Sequence, residues 1–177
     1  DLVPNRALVD MEKPGAHPIY KAKIFSTTVG SKARIEATMK SDGVIYISMP
    51  GVPSEIPFSI LMKALGVESD AKIASLVSPD PEIQDELEQT FEKSIGINTV
   101  RDALLYIGNR VALGQTEEYR IKKAEAVLDK NFLPHLGRNP EDRMNKAIFL
   151  ADMVLKLVEL KLGRRDVDDK DHYANKR

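Results

Sequence analysis

The densest chemistry in the chain lies at its end. Asp168, Asp169, Lys170, Asp171 and His172 are consecutive, and Tyr173-Ala174-Asn175-Lys176-Arg177 follow directly. Clustered carboxylates beside an imidazole are candidate ligands for a divalent cation, and an Asp–His pair could serve a hydrolase. The spacing argues against both, because consecutive side chains of an extended segment point to alternate sides and rarely converge on one ion. Two other readings stand beside these. One is a solvated loop after a helix. The other is a hydrogen-bonded acidic–basic segment facing another element or a nucleic acid, in which carboxylates accept from base-edge donors while Lys170, Lys176 and Arg177 reach phosphates.

The remaining candidates are less specific. His135, in Phe132-Leu133-Pro134-His135-Leu136, sits where a helix ends and reads as a capping or packing residue. His17 carries still less. The acidic run Glu82, Asp85, Glu86, Glu88 and Glu92 is most simply a solvated helix face. Its sharper reading is a docking surface for a basic protein, and it is a poor DNA contact because it would repel phosphate. Gly108-Asn109-Arg110 and Leu113-Gly114-Gln115 contain glycines, but no strand precedes them and no Lys-Ser/Thr follows. They read as a tight helix–loop–helix link rather than a phosphate loop. The sequence has no Ser/His/Asp order and no HExxH.

Composition limits what can position these groups. The 177 residues are 42% apolar, enough for one domain with a proper core or for two small lobes. Twenty-six basic residues stand against 27 acidic ones, so net charge gives no argument for nucleic acid, and any DNA contact must come from a local patch. Cysteine is absent, which excludes disulfides, thiolate zinc sites and thiol chemistry and fits a reducing, cytoplasmic setting. No stretch approaches 18 uninterrupted apolar residues, so no membrane span is expected, and no signal peptide is evident. The start at Asp1 and the end at Arg177 both read as cut ends of a longer protein.

Residues 1–54 read as mainly β. Arg6–Glu12 is short and weakly alternating, and Ile19–Thr28 is rich in β-branched and aromatic residues. Lys32–Lys40 places Ala33, Ile35, Ala37 and Met39 on one face. Val44–Met49 follows the turn signal Ser41-Asp42-Gly43 at hairpin spacing, and Val29-Gly30-Ser31 separates the two preceding runs. Residues 55–165 read as mainly α, in about six helices. A helix from Pro57 stops at Gly66, and Asp70–Val77 forms a second. Asp80-Pro81 starts a third that carries Ile83, Leu87, Phe91 and Ile95 inward. Thr99 and Thr116 begin the next two, with Val100, Ala103, Leu104 and Ile107, then Ile121, Ala124, Val127 and Leu128, facing the core. The last opens at Asn139-Pro140 and is apolar almost all round from Met144 to Leu162, as a helix central in a core or covered by a partner would be. Residues 166–177 form a polar tail. The fold class is α+β, a small antiparallel meander followed by helices.

The tail DDKDHYANKR resembles the DD-x-DH-[aromatic or Leu]-G-[N/K]-[K/R]-R signature of the second-largest subunit of multi-subunit RNA polymerases, called β in bacteria. MKALGV, ALLYIGNR, RIKKAEAVLDKNFLPHLG and KAIFLADMVLKL resemble the same subunit at the expected places, and the archaeal type fits best. The resemblance covers essentially the whole chain. It implies the lobe domain, flanked in sequence by two halves of the protrusion, with the tail leading into the latter. It implies a non-catalytic element of a nucleotidyltransferase, lining the DNA cleft near downstream and non-template DNA. The expected partners are other polymerase subunits, DNA, and initiation or elongation factors. No cofactor and no small-molecule substrate are expected in the fragment, since the catalytic magnesium belongs to the largest subunit.

In bacterial relatives the third Asp of the motif and the first of its two final basic residues help form a pocket for a non-template guanine. The resemblance places Asp171 and Lys176 at those positions. Lys176 stands where an Arg would give a planar, bidentate contact, and Ala174 where relatives often have Gly. Backbone contact by Lys176 and Arg177, with Lys170, is therefore the stronger expectation. Two alternatives remain: a stand-alone helical protein-interaction module using the acidic and last helices, and a metal-dependent hydrolase built on the Asp/His tail.

Overall fold

The computed structural model describes residues 8–12, 19–28 and 31–166. Five antiparallel strands form one sheet in sequence order: β1 Leu8–Glu12, β2 Ile19–Thr28, β3 Ser31–Met39, β4 Ile45–Ser48 and β5 Ile56–Pro57. The expected meander is present. The alternation in β3 works as read, with Ala33, Ile35, Ala37 and Met39 all buried. Register aligns Val9 with Ala22, Ala22 with Ala37, and Ala37 with Ile47, one row across four strands. At the β3–β4 turn, Asp42 accepts from the Val44 amide while Gly43, at φ +85°, donates to the Lys40 carbonyl. A side chain at that φ would be strained, which explains the Asp-Gly pair. The two-residue strand β5 was not expected, and it carries the sheet past residue 54.

The helices are α1 Phe58–Ala64, α2 Asp70–Val77, α3 Pro81–Asp85, α4 Glu88–Lys93, α5 Val100–Val111, α6 Glu117–Lys130 and α7 Arg143–Lys161. Their starts follow the caps in the sequence. Ser69, Asp80, Thr99 and Thr116 each accept an amide from the first turn of α2, α3, α5 and α6. Short 3-10 turns at Pro134–Leu136 and Pro140–Asp142 join α6 to α7.

One expected helix is two. The run after Asp80 breaks at Glu86-Leu87, where Glu86 and Leu87 donate to the carbonyls of Ile83 and Gln84, three residues back. The break rotates the following turn, so the inward positions are Ile83, Leu87, Thr90 and Ser94, while Ile95 is 81% exposed rather than in the core. The reason is a polar tie to the sheet. The buried Thr90 hydroxyl accepts from the Ile45 amide of β4 at 3.0 Å, and the Thr90 carbonyl accepts from the Ser59 hydroxyl at 3.1 Å. An unbroken helix with Ile95 inward would leave the Ile45 amide without this partner.

Helix α7 is the central element. It contacts β1, β2 and β3 on one side, with α2 and α3 also against it. Ala147, Leu150, Ala151, Val154, Leu157 and Val158 are buried. Ala22 and Ala37, small residues in the middle of the sheet, leave room for a helix to lie close. Of the two possibilities for this helix, the core is the one realised, with only Met144 and Ile148 of its large apolar residues exposed, at 40% and 50%.

Replacing Thr90 by Val keeps the shape and removes the acceptor. Stability in urea denaturation is expected to fall by about 1–3 kcal/mol, whereas Thr90→Ser retains the hydroxyl and loses about 1. A Thr90→Val protein as stable as the parent would show that the tie does not hold the α4 break.

Candidate functional site

Lys170, Asp171, Lys176 and Arg177 lie outside the described residues, as does His172; what the structure defines is the root from which they leave. Helix α7 ends at Lys161, with Leu162 as its C-terminal cap. Gly163, at φ +75°, donates to the Leu160 carbonyl, and the Arg164 amide donates to the Glu159 carbonyl at 2.8 Å. This paired closure needs a left-handed residue after the helix, and Gly163 supplies it. Arg164 then turns towards α3. Its Nη1 donates to Asp80 Oδ2 at 2.6 Å and its Nη2 to Glu82. One turn earlier, Lys161 pairs with Glu86 at 2.8 Å.

These contacts divide the acidic run. Glu82 and Glu86 are engaged by the end of α7, and Asp80 both caps α3 and binds Arg164. Asp85, Glu88 and Glu92 are exposed and have no ion pair among the described residues.

The FLPH segment is a packing device. Phe132 and Leu133 are fully buried, and Leu133 adopts φ +45°, ψ +54° so that the chain can turn into Pro134. His135 meets Phe149 edge-on, with ring centroids 5.5 Å apart. Burial, and then the Lys146 charge, lower its pKa, so it favours the neutral imidazole of a packing residue. The Gly108–Gln115 stretch is the expected link. Gly108 lies inside α5, and a Cβ there would sit 2.6 Å from the Arg120 carbonyl oxygen of α6. Gly114, at φ +88°, turns the chain between the two helices.

Sequence reasoning missed a buried ionic group on α7. Arg143 forms a two-pronged contact with Asp129, at 2.8 and 2.7 Å, and reaches Glu125 at 3.4 Å. Lys146 is fully buried, and its Nζ donates to the carbonyls of Leu128 and Asp129, both at 2.9 Å. It thereby satisfies two of the open carbonyls at the α6 C-terminus. The sequence signal was present: Lys146 falls on the inward stripe with Leu150 and Val154. A lone lysine on a long apolar helix resembles a solvent-facing one, and only the packing of α6 gives it partners.

Desolvation lowers the Lys146 pKa to about 8. Asp129 and Asp142 oppose the shift, while Arg143 and Arg138 add to it. Asp129 already serves Arg143. A neutral amine still has two N–H groups for two carbonyls, so deprotonation keeps the cap.

Among the described residues no group of three or more His, Asp or Glu side chains could hold a metal ion. An open depression of about 450 Å³ on α5 and α6 is lined by Arg101, Glu118, Tyr119, Ile121, Lys122 and Glu125. Its mixed charges and open shape offer no convergent chemistry. No helix among the described residues is long and apolar enough to cross a membrane.

The architecture of the described residues is that of an α+β domain with a helical layer on an antiparallel meander. The family described as RNA polymerase Rpb2, domain 2, matches residues 5–177, and the chain belongs to it. This is the lobe domain of the second-largest subunit, of archaeal type. The DNA-directed RNA polymerase subunit Rpo2 of Saccharolobus solfataricus is 51% identical over 177 residues, covering 100% of this chain and 16% of that protein. The Rpo2N subunit of Methanococcus vannielii is 44% identical over 180 residues, covering all of this chain and 36% of its own length. That of Halobacterium salinarum is 40% identical over 181 residues, again with the whole chain covered and 34% of its own length. The chain thus spans well under half the length of these relatives.

The Lys146 linkage has a definite sign. Its folded pKa, about 8, lies below the unfolded 10.5, so between these values the unfolded chain binds more protons and stability rises with pH. Below pH 8 both states are protonated and the fold carries the full cost of the buried charge. Relative to Lys146→Met, the protein should gain on the order of 3 kcal/mol across this window in denaturant titrations. A pH-independent difference would contradict a desolvated Lys146.

Proposed function

We propose that this chain acts as the non-catalytic lobe of DNA-directed RNA polymerase, a nucleotidyltransferase, lining the DNA cleft beside downstream and non-template DNA. Its partners on this reading are the other polymerase subunits, the DNA, and initiation or elongation factors that dock on its outer face, all in the cytoplasm. It binds no cofactor or small-molecule substrate of its own, and the catalytic magnesium is held by the largest subunit. Residues 1–177 work as one lobe whose last residues lead into the protrusion.

The observation that carries the reading is the family match over residues 5–177, which takes in the entire tail. The relatives matched are named as subunits of DNA-directed RNA polymerase. Within the tail, Lys176, Arg177 and Lys170 contact the DNA backbone, and Asp171 accepts from the edge of a non-template base. Three carboxylates, Asp168, Asp169 and Asp171, balance these three cations. The tail therefore gains little long-range attraction to phosphate. It acts at short range, once the rest of the enzyme has brought the duplex to it.

Reconstituted polymerase carrying Lys176→Ala and Arg177→Ala should form shorter-lived open complexes. The slope of log lifetime against log salt should fall by about 1 for each cation lost from a phosphate contact. Asp171→Ala should alter lifetime only on templates with a guanine at the contacted non-template position. Lifetimes and salt slopes equal to those of the parent enzyme on every template would contradict the DNA role.

A further inference from the structure

Arg101, Arg143 and Arg164 each answer a carboxylate, whereas two guanidinium groups at the turn between α5 and α6 do not. The Arg110 guanidinium lies 3.5 Å from the centre of the Tyr106 ring, and its Nη1 donates to the Tyr106 carbonyl at 2.8 Å. Arg120 Nη1 donates to the side-chain oxygen of Asn109, and its Nε to the Thr116 carbonyl at 3.4 Å. All of these acceptors are neutral. Among the described residues neither arginine has an ion pair, and neither Nη2 has a hydrogen-bond partner. Residues three apart on a helix are neighbours, so Tyr106 and Asn109 stand side by side on α5 and bring the two forks to one surface. Both arginine side chains are half-buried and already held, so an anion that binds them costs little of their freedom. Acidic groups at the starts of both helices are used elsewhere. Glu117 pairs with Arg101 at 2.8 Å, and Asp102 accepts from the Asn98 amide at 3.2 Å. Two residues beyond α5, in the same turn, Leu113 is 80% exposed.

We infer that the turn between α5 and α6 is a docking surface for an acidic segment of a protein, whose carboxylates bind Arg110 and Arg120 and whose apolar side chain covers Leu113. This rests on the reading above that transcription factors dock on this domain, and it gives them a place and a chemistry. Charge complementarity selects an anion, and a planar fork matches a carboxylate with two parallel hydrogen bonds. The exposed leucine selects a protein over a nucleic acid, because a sugar–phosphate backbone offers it little apolar surface to be buried against. Glu117 and Glu118, both exposed in the first turn of α6, argue likewise, since a duplex spanning this turn would bring phosphates towards them. A peptide has only to reach the two forks.

The test uses reconstituted polymerase in which a photo-reactive phenylalanine analogue replaces Leu113, so that capture reports contact at this turn. The probes are a short synthetic peptide rich in Asp and Leu, the same peptide with Asn for Asp, and a short DNA duplex. The Asp peptide is expected to be captured, with a yield that falls as salt is raised. Arg110→Gln/Arg120→Gln should lower that yield several-fold with little change in thermal unfolding, since Gln keeps an N–H donor and removes the charge. Arg110→Lys/Arg120→Lys should retain part of it, because an ammonium attracts a carboxylate but cannot fork. Equal capture of the Asn peptide, capture of the duplex in place of the Asp peptide, or a yield untouched by the Gln pair overturns the inference. Purified initiation and elongation factors are then offered to polymerase carrying the analogue at Leu113, Ile95 or Ile148 in turn, all exposed positions. Capture of a factor at Leu113 that the Gln pair abolishes supports the inference. Capture only at Ile95 or Ile148 overturns it and leaves the docking reading standing. No capture at any of the three removes that reading, and the inference with it.

Discussion

A helix that is apolar almost all round has to be covered on nearly every side, and the arrangement of this domain follows from covering α7. The sheet presents a row of small and branched residues to it. Helices α2 and α3 pack against it as well. Its own Lys146 would be a liability in such a place, since a buried ammonium without partners is costly. Two open carbonyls at the end of α6 give it somewhere to donate, and Arg143 beside it binds the Asp129 carboxylate. Residues of α7 thus hold the C-terminal end of α6 in place. The same helix then closes at Gly163 and hands the chain to Arg164, which binds Asp80 and Glu82 at the start of α3.

Much of this was legible in residue types and spacing. The strands were readable because alternation in β3 and the Asp-Gly turn after it are local signals with local causes. The starts of α2, α3, α5 and α6 were readable because a side-chain oxygen at the cap meets an amide of the first turn. The features that escaped share a cause: each depends on an element distant in sequence. The break at Glu86-Leu87 answers to the Ile45 amide on β4, and it turned Ile95 outward where period alone put it inward. Strand β5 exists only because β4 has a free edge beside it. Lys146 acquires its role from carbonyls of α6, and Glu82 and Glu86 acquire theirs from Arg164 and Lys161.

The functional reading has the same division. Identity was carried by a contiguous ten-residue tail and by helical segments at fixed order, and the family match over residues 5–177 agrees with it. The tail looks like a metal site when read as chemistry alone, and its consecutive spacing argued otherwise. What the fold adds is a fastened root at the edge of α3. The acidic run, first read as one face, divides into carboxylates engaged by α7 and the exposed Asp85, Glu88 and Glu92, which remain available to a partner.

The central claim is that α7 is enclosed by this domain itself rather than by a neighbour in the assembled enzyme. Native-state hydrogen exchange on the 177-residue chain tests it most directly. The account predicts that amides of α7 from Ala147 to Val158 exchange as slowly as those in the middle of β2 and β3, all opening only with global unfolding. Exchange of α7 at a much lower opening free energy than the sheet would contradict it, and would show that the helix needs the rest of the polymerase to be held in place.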